Sequence, residues 1–157
     1  MAGDMNPNEK TFPVLVADDS EDDRLFLRIG LRNQPQLKIV AEVVDGEETI
    51  NYLGGKGKYA DREMYPFPEL LVLDLKMPRF NGFEVLDWLR AQSFPDLKVA
   101  VISGSFLKED VAKSLDLGAH AYHMKPSSLP EQQQIAAQLQ AMLGNAGTNA
   151  AQPRSKV

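Results

Sequence analysis

The sequence predicts an α/β domain in which helices cover both faces of a parallel sheet. Short apolar runs rich in Val, Leu and Ile alternate five times with helical patterns along the 157-residue chain. The central run, Leu70 to Leu73, is apolar without alternation, which is typical of a strand buried on both faces. Since parallel strands joined by right-handed crossovers share one sheet, all five carboxyl ends should meet at one edge.

Each predicted element has a recognisable signal at its ends. Ser20 and Asp45 are good N-caps, because their side-chain oxygens can accept hydrogen bonds from the first free amides of a helix. Gly54 and Gly118 follow helical patterns, as is common at helix C-termini. We expect strands at residues 14–17, 37–42, 70–74, 98–102 and 119–124. We expect helices at residues 21–33, 46–53, 83–92, 108–117 and 129–143.

Composition excludes several classes of protein. The net charge of −5 argues against a general nucleic-acid binder, and the absence of cysteine excludes disulfides and thiolate metal sites. No apolar run approaches the roughly 20 residues of a membrane span, and the N-terminus resembles no secretory signal. We therefore expect a cytoplasmic protein with one folded domain at 12–143, a flexible N-terminus at 1–11 and a flexible tail at 144–157.

Polar side chains stand where four of the predicted strands end. Asp18 and Asp19 follow the first strand, Asp74 the third, Ser103 the fourth and Lys125 the fifth. Carboxylates that converge without a counter-ion raise one another's pKa, and Mg²⁺ resolves this conflict because it prefers oxygen ligands. Asp74 is then a candidate nucleophile for a phosphoryl group, whose charge Lys125 would neutralise.

These motifs resemble the receiver domain of two-component response regulators. The matching residues, in chain order, are Asp18, Asp19, Asp74, Met77, Pro78, Gly82, Ser103, Lys125 and Pro126. The resemblance implies a flavodoxin-like fold of five parallel strands in the order 2-1-3-4-5. It also implies that Asp74 accepts a phosphoryl group from a sensor histidine kinase, which makes the protein a phosphorylation-switched signalling protein rather than an enzyme.

The resemblance implies a Mg²⁺ site at the sheet edge. Asp19, Asp74 and the main-chain carbonyl of Lys76 would bind the ion directly, while Asp18 would act mainly through water. The side chain of Lys76 stands at a position that varies in the family and faces the attacking water. We therefore expect this side chain to alter the lifetime of the phosphoryl group.

The resemblance also implies the residues that read the phosphoryl group. Lys125 would bridge to it, and Ser103, which stands where Thr is frequent, would bond to a phosphoryl oxygen. Tyr122 matches the aromatic residue that turns inward when that bond forms. Pro126 would follow a cis peptide bond, which is largely a proline phenomenon.

The sequence and the resemblance indicate the kind of partner but not its identity. Leu25 and Ile29, one helical turn apart, are candidates for a kinase-docking face. The segment at 52–68 resembles that of short stand-alone regulators, some of which partner bacterial phytochromes. We expect no output domain after Gly144, so the output is a protein contact, a relay step or a homodimer through the face at 108–143.

Two alternative functions remain open at this point. A Mg²⁺-dependent phosphatase with an Asp nucleophile usually carries a second acid two residues after it, where this chain has Lys76. A pseudo-receiver scaffold would bind a partner without being phosphorylated, although the chain retains all five functional positions of the family.

Overall fold

The computed structural model describes residues 9–144, so our expectations for residues 1–8 and 145–157 lie outside the described part. Five parallel strands form one sheet in the order β2-β1-β3-β4-β5, which confirms the predicted fold class and strand order. The strands are β1 (Phe12–Ala17), β2 (Leu37–Val43), β3 (Leu70–Leu73), β4 (Lys98–Ser103) and β5 (Ala121–Met124).

In residues 9–144, five α-helices connect or follow the strands, and their bounds lie close to those expected. They are α1 (Glu21–Leu31), α2 (Gly46–Leu53), α3 (Gly82–Arg90), α4 (Lys108–Asp116) and α5 (Leu129–Gly144). Ser20 and Asp45 cap α1 and α2 as predicted. The helix α3 begins one residue earlier than expected, because Asn81 and Glu84 form a reciprocal capping box. None of the helices in residues 9–144 is long and apolar enough to cross a membrane.

The core has two layers, one on each face of the sheet. Alternate residues of β3 enter opposite layers: Leu71 and Leu73 pack on one side, and Leu70 and Val72 on the other. The first layer is completed by residues of α2 and α3, and the second by residues of α1 and α5. A central strand buried in this way explains the uninterrupted apolar run in the sequence.

The long connection between α2 and β3 is ordered around Arg62. Its guanidinium donates hydrogen bonds to the main-chain oxygens of Tyr52, Leu53 and Tyr65 at 2.9, 3.1 and 3.3 Å. The hydroxyl of Tyr52 donates to the main-chain oxygen of Pro66 at 2.8 Å. The bond to Leu53 satisfies a carbonyl at the end of α2 that the helix itself leaves free, and the other bonds tie the connection to that end.

Candidate functional site

The carboxyl edge of the sheet brings Asp18, Asp19 and Asp74 together, as the sequence predicts. One carboxylate oxygen from each residue can be chosen so that all three lie within 4.8 Å of one another. Asp18 and Asp74 are 8% and 4% exposed, whereas Asp19 is exposed. This acidic cluster (Asp18, Asp19 and Asp74) is therefore buried on one side and open to solvent on the other.

Gly82 permits the close packing of the loop that follows Asp74. A Cβ atom at this position would lie 2.4 Å from the main-chain oxygen of Asp74 and 2.8 Å from the Cα of Leu75. The amide of Gly82 donates to the main-chain oxygen of Leu75 at 2.9 Å. Because the contact is with backbone, no side-chain adjustment could relieve it, and this position requires glycine.

Lys125 reaches the acidic cluster from the end of β5. Its Nζ lies 3.2 Å from Oδ2 of Asp18, 3.2 Å from Oδ2 of Asp74 and 2.6 Å from Oδ2 of Asp23. Burial opposes the charge on Lys125, but the hydrogen bond to Asp23 and the charges of Asp74 and Asp18 outweigh it and raise the lysine pKa. Lys125 is therefore a fixed positive charge at neutral pH.

Asp23 is a contact of Lys125 that was not predicted from the sequence. It lies in the first turn of α1, where acidic residues favour the helix N-terminus. In the structure it is the nearest acidic partner of Lys125. The available signal was its position, since the first turn of a helix that follows a strand end lies beside the same sheet edge as Asp18.

Burial raises the pKa of Asp18 from 3.8 to about 6, and the charge of Asp74 adds to this effect. The amide of Ser20, which donates to Oδ1 of Asp18 at 2.9 Å, and the charge of Lys125 act in the opposite direction. A single ammonium therefore does not fully compensate the buried negative charge at this edge.

The donors of the acidic cluster fit a hard divalent cation. All are carboxylate oxygens, which is the ligand type that Mg²⁺ prefers, and the exposed side at Asp19 leaves room for water ligands. The amide of Lys76 donates to Oδ1 of Asp74 at 3.4 Å, so the main chain of Lys76 borders the cluster. The side chain of Lys76 is exposed.

Ser103 is fully buried at the end of β4, and its hydroxyl accepts a hydrogen bond from the amide of Ser105 at 3.2 Å. The hydroxyl of Tyr122 donates to the main-chain oxygen of Ser105 at 2.7 Å. The hydroxyl of Ser105 donates to Oδ2 of Asp110 in α4 at 2.5 Å. Ser105, which is not among the predicted site residues, thus links Ser103 and Tyr122 to α4.

The expected cis peptide bond before Pro126 is wrong, because residues 9–144 contain no cis peptide bond. An X–Pro bond favours the trans form by about 0.5–1 kcal/mol unless the surrounding structure reverses this preference. Lys125 contacts Asp18 and Asp74 with the trans bond in place.

The comparisons with known proteins agree with the fold. The sequence pattern of the response regulator receiver domain matches residues 14–140. The protein-glutamate methylesterase/protein-glutamine glutaminase 1 of Myxococcus xanthus (strain DK1622) is 37% identical over 114 residues, which are 72% of this chain and 29% of that protein. The chain thus spans less than a third of that relative's length.

Two solved structures are similar over nearly their full lengths. The phosphorylated cyanobacterial phytochrome response regulator RcpA has a TM-score of 0.75 at 26% identity, covering 92% of this chain and 99% of its own. The response regulator RPA3017 in red light signaling of R. palustris has a TM-score of 0.71 at 28% identity, with the same coverage. On the match over residues 14–140, this chain belongs to the response regulator receiver domain family of two-component systems.

Proposed function

We propose that Asp74 accepts a phosphoryl group and that the modification switches protein–protein contacts of this receiver domain. The observation that carries the proposal is the position of Lys125, 3.2 Å from a buried Asp74 that shares its sheet edge with two further carboxylates. Carboxylates and an ammonium held at this spacing provide the positioning and charge neutralisation on which phosphoryl transfer depends.

The transfer step needs a nucleophile, a donor and a site for the charge. A carboxylate oxygen of Asp74 attacks phosphorus, a P–O bond forms, and the P–N bond to a histidine of the sensor kinase breaks. The leaving imidazole takes up a proton. Hydrolysis later returns the Asp74 carboxylate and inorganic phosphate. Lys125 stays charged throughout and balances the anionic phosphoryl oxygens.

The acidic cluster and the main-chain carbonyl of Lys76 are the groups that we propose to hold Mg²⁺. When bound, the ion supplies positive charge to the oxygens of the phosphoryl group. Burial raises the pKa of Asp18 and so disfavours its ionised form. A divalent cation beside Asp18 would favour that ionised form. The chain itself contributes three carboxylates held close together, and the exposed Asp19 keeps this cluster open to solvent.

Ser103 and Tyr122 are the proposed readers of the phosphoryl group. The Ser103 hydroxyl accepts from the Ser105 amide, and we propose that it turns to donate to a phosphoryl oxygen. Tyr122 is bonded to the carbonyl of the same Ser105, so movement of that residue changes the surroundings of both side chains. The result is a two-state equilibrium that the phosphoryl group biases.

We propose a sensor histidine kinase of the bacterial phytochrome type as the donor. The support is the similarity to RcpA and RPA3017, whose names link them to phytochrome and red light signalling. Leu25 is 47% exposed on α1, beside the site, and Ile29 lies one turn further along. Leu25→Asp should slow transfer from the kinase and leave phosphorylation by a small donor unchanged, whereas equal loss with both would count against docking.

We propose the face at 108–143 as the output surface, with a second copy of this chain as its partner. Large apolar side chains are exposed at or beside this face: Phe106, Leu107, Leu115, Met124 and Leu129. Sedimentation before and after phosphorylation tests whether the partner is a second copy of this chain. A larger species that appears only with the phosphoryl group supports it, and an unchanged monomer refutes it.

Intact-mass measurement with phosphoramidate tests the proposed function. The chain should gain one phosphoryl group in the presence of Mg²⁺, and Asp74→Asn should not. No mass gain would favour a scaffold that is never phosphorylated. Steady turnover of a simple phosphomonoester, abolished in Asp74→Asn, would favour a phosphatase and contradict the switch.

A further inference from the structure

Arg24 joins three parts of the molecule beside the acidic cluster. Its Nη1 donates a hydrogen bond to the main-chain oxygen of Asp18 at 2.6 Å, and its Nε donates to Oε1 of Glu42 in β2 at 3.0 Å. The side chains of Arg24 and Glu42 are 14% and 22% exposed. The Arg24 guanidinium, which extends from α1, is therefore anchored to β2 and holds the turn that follows β1.

The carbonyl that Arg24 holds belongs to the peptide between Asp18 and Asp19. The orientation of this peptide sets the direction in which the Asp19 side chain leaves the backbone. None of the hydrogen bonds or ion pairs found in residues 9–144 involves the Asp19 carboxylate. Asp19 thus depends on its backbone for direction, while Asp18 is bonded to Ser20 and Lys125.

We propose that Arg24 is a positioning residue for the cation site. By fixing the carbonyl of Asp18, it directs the Asp19 carboxylate towards Asp74. The inference rests on the proposed function, because it requires the acidic cluster to bind a divalent cation. Groups that orient metal ligands commonly change metal affinity by roughly 10- to 100-fold when they are removed.

If Arg24 acts through its charge, replacing it by a neutral residue should change cation affinity in one direction. If it acts by positioning the Asp18 carbonyl, the affinity should change in the opposite direction. A positive guanidinium beside a cation site repels the ion, so its removal would tighten binding if charge alone mattered. If Arg24 acts by holding the Asp18 carbonyl, its removal loosens the Asp19 ligand and weakens binding. The direction of the change therefore separates the two explanations.

Arg28 provides a matched control on the same helix. Its Nη1 also pairs with Glu42, at 2.6 and 2.5 Å from the two carboxylate oxygens, and it is 42% exposed. No hydrogen bond in residues 9–144 joins Arg28 to Asp18. Arg28→Gln therefore removes the same charge and a bond to the same acid without touching the turn.

Calorimetric titration of the full chain with Mg²⁺, without any phosphodonor, tests the inference. Arg24→Gln should weaken binding roughly tenfold or more, and Arg28→Gln should stay within about twofold of the wild type. Arg24→Lys should also weaken binding, because an ammonium keeps the charge but lacks the fork that spans Asp18 and Glu42. Thermal unfolding of each variant checks that the fold is retained.

The outcomes distinguish the inference from the proposed function. If the wild type binds no divalent cation, the proposed metal site fails and the inference fails with it. If the wild type binds Mg²⁺ but Arg24→Gln binds equally well or more tightly, only the positioning role is overturned. If Arg24→Gln does not fold, wild-type affinity in Arg24→Lys overturns the positioning role.

Discussion

The ammonium of Lys125 lies closer to Asp23 than to Asp74, with Nζ–Oδ2 distances of 2.6 and 3.2 Å. Asp23 is the more solvent-accessible of the two acids, with a side chain that is 42% exposed against 4% for Asp74. Lys125 must serve an anionic phosphoryl group on Asp74 if the proposed function is correct. Asp23 then competes with that group for the same ammonium.

Asp23→Asn should therefore speed phosphorylation by a small donor. The substitution removes a competing carboxylate and reduces repulsion of the anionic donor, and a partly exposed ion pair is worth roughly 0.5–1 kcal/mol, or about two- to fivefold in rate. The rate of mass gain with phosphoramidate measures the effect. Asp22→Asn, an exposed neighbour in the same turn, is the control. Equal rates in the two variants would show that the Lys125 contact does not matter.

Lys76→Ala should shorten the lifetime of the phosphoryl group several-fold. The exposed side chain stands two residues after Asp74, where its charge can pair with the phosphoryl oxygens and its stem can obstruct water. The lifetime is measured by removing the donor and following the loss of the phosphoryl group by intact-mass spectrometry. Lys38→Ala, at the amino end of β2 and thus at the opposite edge of the sheet, should behave like the wild type. An unchanged lifetime in Lys76→Ala would contradict the prediction.

Gly82→Ala should destabilise the fold by about 1–3 kcal/mol or more, the range for overpacking a fixed environment. The added Cβ would meet the main-chain oxygen of Asp74 at 2.4 Å. This clash should outweigh the better helix propensity of alanine, which is worth about 1 kcal/mol. Urea denaturation measures the free energy of unfolding. Gly104→Ala has no heavy atom within 4 Å of its Cβ and should change this free energy little.

The contribution of Asp18 to the stability of the metal-free protein should fall as the pH rises from about 4 to about 6. In this window folded Asp18, whose pKa burial raises to about 6, still holds a proton that the unfolded chain has lost at its ordinary pKa of 3.8. Ionising Asp18 in the fold then costs up to roughly 3 kcal/mol, since one pKa unit corresponds to about 1.36 kcal/mol.

The difference in unfolding free energy between the wild type and Asp18→Asn isolates this effect. The wild type should lose stability relative to the variant between pH 4 and pH 6, and the difference should be constant above about pH 7. A difference that is constant over the whole range, or that grows in favour of the wild type with rising pH, would contradict the assignment.

The residues at strand ends were predictable because topology alone brings them together. In a parallel sheet every carboxyl end lies at one edge, so the backbones of Asp18, Asp74 and Lys125 lie at that edge whatever the rotamers of their side chains. The uninterrupted apolar run of β3 likewise predicts burial on both faces. The bounds of α3 were less predictable, because the capping box of Asn81 competes with a later start.

Contacts of side chains on helices were not predictable from spacing. Whether Asp23 meets Lys125, or Arg24 meets the Asp18 carbonyl, depends on the rotation of α1 about its axis and on side-chain rotamers. The isomer of the bond before Pro126 is set by tertiary packing against a small intrinsic preference, and our expectation of a cis bond was wrong.

Locating the modified residue tests the central claim most directly. An acyl phosphate is reduced by borohydride to an alcohol, so peptide mass spectrometry after reduction identifies the carboxylate that carried the phosphoryl group. After treatment with phosphoramidate and Mg²⁺, the account predicts conversion at Asp74 alone, and none when a chelator removes the ion. Conversion at another carboxylate, or conversion at Asp74 that is unaffected by the chelator, would contradict it.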